Sequence, residues 1–454
     1  MTLPAHPIHH WTDALAKGET SSRALTELAL DAVNTSDQAS ATFTRVHADS
    51  ARASADAADR LRSAGLPAAP LAGLPISIKD LFDEAGQVTR AGSRVLGDAR
   101  PAGCDGAVVR QLRAAGAVIV GRTSMTEFAY SGLGLNPHHG TPLNPWDRAT
   151  GRIPGGSSSG AAVSVTDGMA VVAIGTDTGG SVRIPSALCG LTGFKLTARR
   201  VSLTGTLPLS PTLDSIGPLA HSVACCALLD AVLAGQEPAT LRPVQLAGLR
   251  LALPRTLLFD GADATVSAAF AAACTALSNA GASIVEIEIP EFAELAHINR
   301  GGGFIAAEAW AWHASLLSSR EAEYDPRVAV RIRRGSSMSA ADYLELLAVR
   351  RRWISGVAQR LSAVNASMMI LPTVPVVAPA LAPLRLSDET YGSTNLLLLR
   401  NPTLINFLDG CALSLPCHRP GDAPVGLTLA ALGGGDAAVL SAGAAIEAVL
   451  RARF

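Results

Sequence analysis

The sequence predicts an α/β protein, a β-sheet with helices packed on its faces, and three observations point there. Short apolar runs such as Val171-Val172-Ala173-Ile174 have the length and β-branched character of buried strands. They alternate with longer stretches of helical spacing, the pattern that lays helices against a sheet. Hydrophobic residues make up 48% of the 454 positions but aromatics only 4%, so alanine and glycine carry much of the apolar content. Small side chains suit close approach of helix to sheet.

Taken in order, Trp11 to Lys17 and Ser21 to Val33 read as helices, the second with Leu25, Leu28 and Val33 near helical spacing. Ser50 to Ala64 reads as an amphipathic helix closed by Gly65 and the prolines beyond it. A Pro-bounded linker leads to Leu74-Pro75-Ile76-Ser77-Ile78-Lys79-Asp80, a segment fit for a sheet interior except at its charged end. Gly103 to Ala115 reads as a helix stopped by Gly116, and Ala117 to Val120 as a buried strand. Ala161 to Asp167 reads as a short helix before the Val171 strand. Leu249 to Leu253 and Ser283 to Ile289 read as strands flanking a helix over Asp263 to Ala280. Phe304 to Leu361 is helical text, Met368 to Thr373 a strand, and Leu413 to Leu415 and Val425 to Ala430 late strands. Asp436 stands where it would cap a final helix to Arg451. A composition shift near Gly235 to Pro243 separates a scaffold from a variable region without making a second domain, so residues 1–454 read as one domain.

Composition excludes several function classes. With 37 basic against 38 acidic residues and a net charge of −1, no global field favours nucleic acid or an anionic membrane. Seven cysteines without regular spacing argue against a disulfide framework and for a reducing compartment. The N-terminal MTLPAHPIHHW has neither a basic nor an apolar signal region, and apolar runs such as Leu396 to Leu399 are too short to span a bilayer. A cytoplasmic location is expected.

The chemistry lies between Gly151 and Pro185, where two small-residue loops flank the Val171 strand. Gly155-Gly156-Ser157-Ser158-Ser159-Gly160 and Gly175-Thr176-Asp177-Thr178-Gly179-Gly180-Ser181 contain no side chain able to build a core, so their glycines serve backbone geometry or close approach. No lysine follows either loop as a phosphate loop requires, and neither spells a dinucleotide fingerprint. Hydroxyls and consecutive backbone N–H groups remain, which are the equipment of acyl transfer, although flexible turns share this composition. A serine needs a base, and none of the ten histidines lies in either loop. His138-His139 reads as a loop or surface pair, and Cys189 as a buried inert thiol. Lys79 can serve as base only if burial makes it neutral. Lowering its pKa from about 10.4 to about 7 corresponds to roughly 4–5 kcal/mol, which only a dry, well-packed site sustains.

PGGSSSG, followed by GTDTGGSVRIPSALCGLTGFK and preceded by the Lys79 strand, resembles the amidase signature family of Ser-Ser-Lys hydrolases. The likeness spans nearly the whole chain and is strongest from Leu71 to Pro218. It implies one large mixed central β-sheet covered by helices on both faces, with residues 71–218 as signature core and roughly 236–410 as a variable region holding specificity. By resemblance Ser181 is the acylated nucleophile, Ser157, 24 residues earlier, is a bridging serine after a cis peptide at Gly156, and Lys79 is the base. The backbone N–H groups of Thr178, Gly179, Gly180 and Ser181 are implied as the oxyanion hole. Asp80, Asp177 and Arg183 are implied as loop-holding residues. Phe128 and Tyr130 fall in the segment that lines the family's acyl pocket, with core packing as the alternative. No metal and no cofactor are expected.

The resemblance implies a small amide and water as partners, with a homodimer left open. It leaves two activities to weigh: a freestanding amidase acting on an aryl or alkyl amide, carbamate or urea, and a glutaminase component like the A chain of a tRNA-dependent amidotransferase. The chain looks short for the second. It also departs from the family's pattern at Leu196 after Lys195 and at Gly410-Cys411-Ala412. The arginine run Arg331-Ile332-Arg333-Arg334 reads as a solvated helix face rather than an anion site.

Overall fold

The structure, a computed structural model, describes residues 2–453. Its strands are β1 Phe43–Val46, β2 Pro75–Lys79, β3 Val118–Thr123, β4 Val172–Asp177, β5 Thr192–Lys195, β6 Ser215–Ala220, β7 Arg250–Pro254, β8 Ser283–Ile287, β9 Met368–Pro372, β10 Cys411–Pro416 and β11 Gly426–Ala431. They form one 11-stranded sheet in the order β1-β3-β2-β4-β6-β5-β10-β11-β9-β7-β8. The sheet is mixed: β2 runs parallel to β3 and β4, and β7 parallel to β8 and β9, while the strands between β4 and β9 pair antiparallel. The predicted fold class holds.

Alternation along the strands shows how two faces are covered. On β4, Ile174 joins Ile78 and Ile216 in the largest apolar cluster, on the side where the Val223–Leu233 and Asp436–Arg451 helices meet. Its neighbour Ala173 points the other way and packs with Leu219 against Ala161, Ala162 and Val165 of the Ser159–Thr166 helix. Successive strand residues face opposite sides, so β4 needs apolar residues at both. That requirement explains its unbroken apolar run. β2 shows the same: all five residues are buried, Lys79 included.

Several expected boundaries move. The helix expected from Gly103 starts at Ala107 with Gly106 as N-cap, and the strand expected to Ile289 ends at Ile287. Asp436 is the first helical residue, after Gly435 as N-cap; its carboxylate instead accepts from the backbone N–H and hydroxyl of Thr197 at 2.8 and 2.5 Å. β1, β5 and β6 are additions to the expected strands: β1 and β5 are four residues long and too short to display a period, and β6 holds Gly217 and Pro218, residues that argue against a strand interior. The Asp388–Phe407 helix, also unexpected, matters more, because it crosses the site. Its leucines run consecutively rather than along one stripe, and it holds Pro402, so neither helical signal is present.

Candidate active site

Three neighbouring backbone segments converge at the C-terminal ends of β2 and β4. The strands are parallel with Ile78 opposite Ile174, which sets Lys79 beside Gly175 and one residue from Thr176. Lys79 Nζ donates to Thr176 Oγ1 at 2.9 Å and to Ser157 Oγ at 2.7 Å. Ser157 follows a cis peptide at Gly156–Ser157 and precedes the Ser159–Thr166 helix. Its loop is tied on both sides. Gly156 N–H donates to Gly132 O at 2.8 Å, Thr126 N–H to Ser157 O at 3.1 Å, and Ser158 N–H to Ser181 O at 3.3 Å. The last bond places the Ser181 loop directly against the Ser157 loop.

The glycines are there for space. A Cβ on Gly156 would stand 2.5 Å from Gly134 N, and one on Gly180, whose φ is +123°, would stand 2.5 Å from Pro402 Cβ. A side chain at Gly156 would push the Ser157 loop off the Gly134 backbone, and one at Gly180 would push the Ser181 loop off the Asp388–Phe407 helix.

Electrostatics are set by dryness. Lys79 has no exposed surface, and burial pushes its pKa down to about 7 against the pull of Asp177 and Asp214. Asp177 is equally buried, and burial alone would raise its carboxyl. Arg183, Lys195 and Asn406 outweigh that and hold it well below the ordinary carboxylate range. Arg183 meets it in a two-pronged pair at 2.9 and 3.0 Å and also donates to Asn406 Oδ1 at 2.7 Å. The pair braces the loop between β4 and the Arg183–Cys189 helix. Asp214 accepts from Thr178 Oγ1 at 2.5 Å and from the N–H groups of Leu209 and Ser210 at 3.0 Å each, and burial pushes its carboxyl up to about 6.

The four backbone donors do not stand alike. Gly180 N–H donates to Asp177 Oδ1 at 2.9 Å, a partner that the motif does not reveal, and so it is already engaged. Phe128 and Tyr130 also separate. Phe128 is buried among His313, Tyr324 and Trp312, with ring centroids at 4.3, 5.3 and 6.1 Å. Tyr130 is half-buried beside Arg331. His138 is bonded to Glu127 at 2.7 Å, and burial raises the Cys189 thiol far above its usual range. Asp80 pairs with Arg122 at 2.8 Å. Among the described residues no group of three or more His, Cys, Asp or Glu could hold a metal ion, and no helix is long and apolar enough to cross a membrane.

Sequence reading missed Thr176, which anchors Lys79, and the polar residues of the Asp388–Phe407 helix. Asn406 donates to Asp177 Oδ1 at 2.9 Å, Thr403 Oγ1 to Gly179 O at 3.3 Å, and Asn395 Oδ1 accepts from Ser131 Oγ and Gly132 N–H, both at 2.9 Å. The recurrence of Asn395, Thr403 and Asn406 among leucines was the available signal.

Comparison with known proteins places the chain among hydrolases that act on carbon–nitrogen bonds. The chain belongs to the amidase family, whose profile, described as Amidase, matches residues 24–440. It is 37% identical over 405 residues to a 2-amino-5-chloromuconic acid deaminase of Comamonas testosteroni, covering 88% of this chain and 86% of that one. It is 33% identical to the A chain of the glutamyl-tRNA(Gln) amidotransferase of Chloroflexus aggregans, covering 96% of this chain and 94% of that one. Length therefore does not separate this protein from such amidotransferase chains. Among solved structures, an amidase crystal structure superposes with a TM-score of 0.87 at 30% identity over 99% of this chain and all of the other. A peptide amidase from Stenotrophomonas maltophilia does so at 0.81 and 26% identity over 99% of this chain and 97% of the other.

Proposed function

We propose that the protein is a freestanding serine amidohydrolase that cleaves a small amide through an acyl-enzyme on Ser181. The observation that carries this reading is the 2.7 Å contact between Ser157 Oγ and a buried lysine whose pKa is pushed down to about 7. A neutral Lys79 takes the Ser157 proton as Ser157 takes that of Ser181, and Ser181 Oγ attacks the amide carbonyl. The tetrahedral oxyanion is met by the N–H groups of Thr178, Gly179 and Ser181, with Gly180 holding Asp177 instead. Collapse expels the amine, which receives the proton back from Lys79 through Ser157. Water then enters by the reverse relay and frees the acid. Thr176 aims the lysine, and the Asp177–Arg183–Asn406 cluster keeps the donor loop in place. Residues 236–410 supply the substrate-selective wall.

The likeness to the deaminase, named for a small organic acid, supports an enzyme that acts on a small molecule. The likeness to the amidotransferase chain keeps a glutaminase component as the second reading. Purified protein incubated with benzamide-type amides and with glutamine separates them: ammonia from simple amides without partner chains supports the first, and glutamine cleavage only within a partner complex supports the second. The triad itself is tested by Ser181→Ala, which abolishes turnover and covalent labelling by a neutral fluorophosphonate. Residual labelling at another serine would assign the nucleophile elsewhere.

A further inference from the structure

No step of the proposed reaction uses Asp214, although its carboxylate is buried against the donor loop. β4 and β6 run antiparallel with Asp177 opposite Ser215, so the residues just past that pair, Thr178 and Asp214, meet at the strand ends. Thr178, itself buried, donates from Oγ1 to Asp214 Oδ1 at 2.5 Å. The two oxygens of Asp214 have separate tasks. Oδ2 closes its own turn by accepting from Leu209 and Ser210 N–H at 3.0 Å each, and Oδ1 is left for Thr178. That turn is anchored from the variable region. Glu308, on the Gly303–Arg320 helix, accepts from the Ser210 hydroxyl at 2.5 Å and from Thr212 N–H at 3.1 Å, and Tyr343 donates to the same carboxylate at 2.5 Å.

The peptide that carries the Thr178 N–H is trans, so its carbonyl, Asp177 O, points the opposite way. That carbonyl accepts from Ser215 Oγ at 2.9 Å and from Asn406 Nδ2 at 3.2 Å. Bonds to a carbonyl fix the plane of its peptide and, in a dry site, polarise the amide so that its N–H donates more strongly. Ser215 and Asn406 therefore grip one end of this unit, and Asp214 grips the other through the Thr178 side chain. Closing the turn requires only Oδ2. The second oxygen, in a charge-assisted bond to a hydroxyl of the donor loop, is accounted for by what it does to Thr178.

We propose that Asp214 is a positioning residue for acyl transfer, holding Thr178 so that its N–H meets the oxyanion, while the turn anchored by Glu308 keeps Asp214 itself from shifting. The inference rests on the amidohydrolase reading and adds to it the residue that sets one oxyanion donor. Asp214 acts through Thr178 rather than on the reacting atoms. An oxyanion exists only once the carbonyl has been attacked, so a displaced donor slows the chemical step and leaves the binding of the ground state nearly unchanged.

The test follows labelling of Ser181 by a neutral fluorophosphonate, whose phosphoryl oxygen takes the place of the oxyanion, and separates the rate at saturation from the half-saturating concentration. Thr178→Val keeps the shape of the side chain and removes its hydroxyl. It is expected to lower the saturating rate about 10- to 100-fold, short of the complete loss of an oxyanion donor, with little change in the half-saturating concentration. Thr178→Ser returns the hydroxyl and recovers most of the rate. Asp214→Asn turns an N–H toward one of the converging donors and is expected to lose a similar factor. The double variant should be no slower than the slower single one, since both residues act through one bond. A wild-type rate in Thr178→Val, a loss confined to the half-saturating concentration, or losses that multiply in the double variant overturns the inference and leaves the nucleophile standing. If Asp214→Asn does not fold, the two Thr178 variants decide alone. Wild-type protein that fails to label at Ser181 removes the amidohydrolase reading and this inference with it.

Discussion

The regions around Lys79 and Lys195 contain the same residue at the same depth and put it to different use. Each lysine ends a strand, β2 or β5, and neither has exposed surface. Burial pushes both pKa values down while Asp177 pulls both up, and they come to rest at about 7 and about 8. Their partners differ. Lys79 faces the hydroxyls of Ser157 and Thr176, which accept from an ammonium and can equally donate to an amine. Lys195 faces the carbonyls of Leu196 and Gly410 at 3.0 and 2.6 Å, which only accept and so favour the charged form. Dryness brings a lysine near neutrality, and the atoms it touches decide whether its proton can move.

Substitutions at the two positions should therefore diverge. Lys79→Met is expected to lower kcat/KM by about 10³-fold or more, within the span of general acid–base catalysis and its loss, measured on a simple amide. A variant retaining most of the activity at neutral pH would remove Lys79 as base. The pH profile sharpens the comparison without a mutation. Below about pH 7 Lys79 holds its proton, so kcat/KM should fall about tenfold per unit on the acid side and level off above.

Stability should move in opposite directions. Lys195→Met relieves a smaller burial penalty, its pKa being lowered less, but leaves two buried carbonyls without their donor, and the unfolding free energy should drop by about 1–2 kcal/mol in a denaturant titration. Lys79→Met should instead raise it by about 1–3 kcal/mol at pH 7, after lost hydrogen bonds are counted. The sign follows from linkage. Lys79 has a lower pKa folded than unfolded, so the unfolded chain binds more protons between about 7 and about 10.4. The wild-type penalty is complete below about pH 7 and fades as pH rises through that window. The gain in the variant should shrink accordingly, and a gain that grew with pH would contradict a buried amine.

Much of the scaffold and the candidate centre was legible because its signals are local. Lys79 stands out as a charge closing an apolar strand, and Ser157 and Ser181 lie in two glycine-rich loops, a composition that flexible turns share. The Asp388–Phe407 helix was not legible, since leucines on several sides, the exposed Leu396 among them, erase the amphipathic stripe. Arg331 reads as one of a basic run, yet it bonds the Tyr391 phenol where Arg327 and Arg333 pair with acids brought from elsewhere in the chain. The same holds for Gly180, whose N–H is claimed by a carboxylate three residues back.

By itself the sequence determined the α/β class, the two serine loops and the lysine strand, since strand periodicity and glycine-permitted turns are properties of adjacent residues. Only the tertiary structure decided which lysine sits against hydroxyls, which backbone donor is already engaged and which tyrosines flank Arg331. Those outcomes depend on atoms from segments as far apart as β2, the Pro326–Arg333 helix and the Asp388–Phe407 helix. Desolvation and hydrogen bonding act on distance in space, which spacing along a chain does not contain.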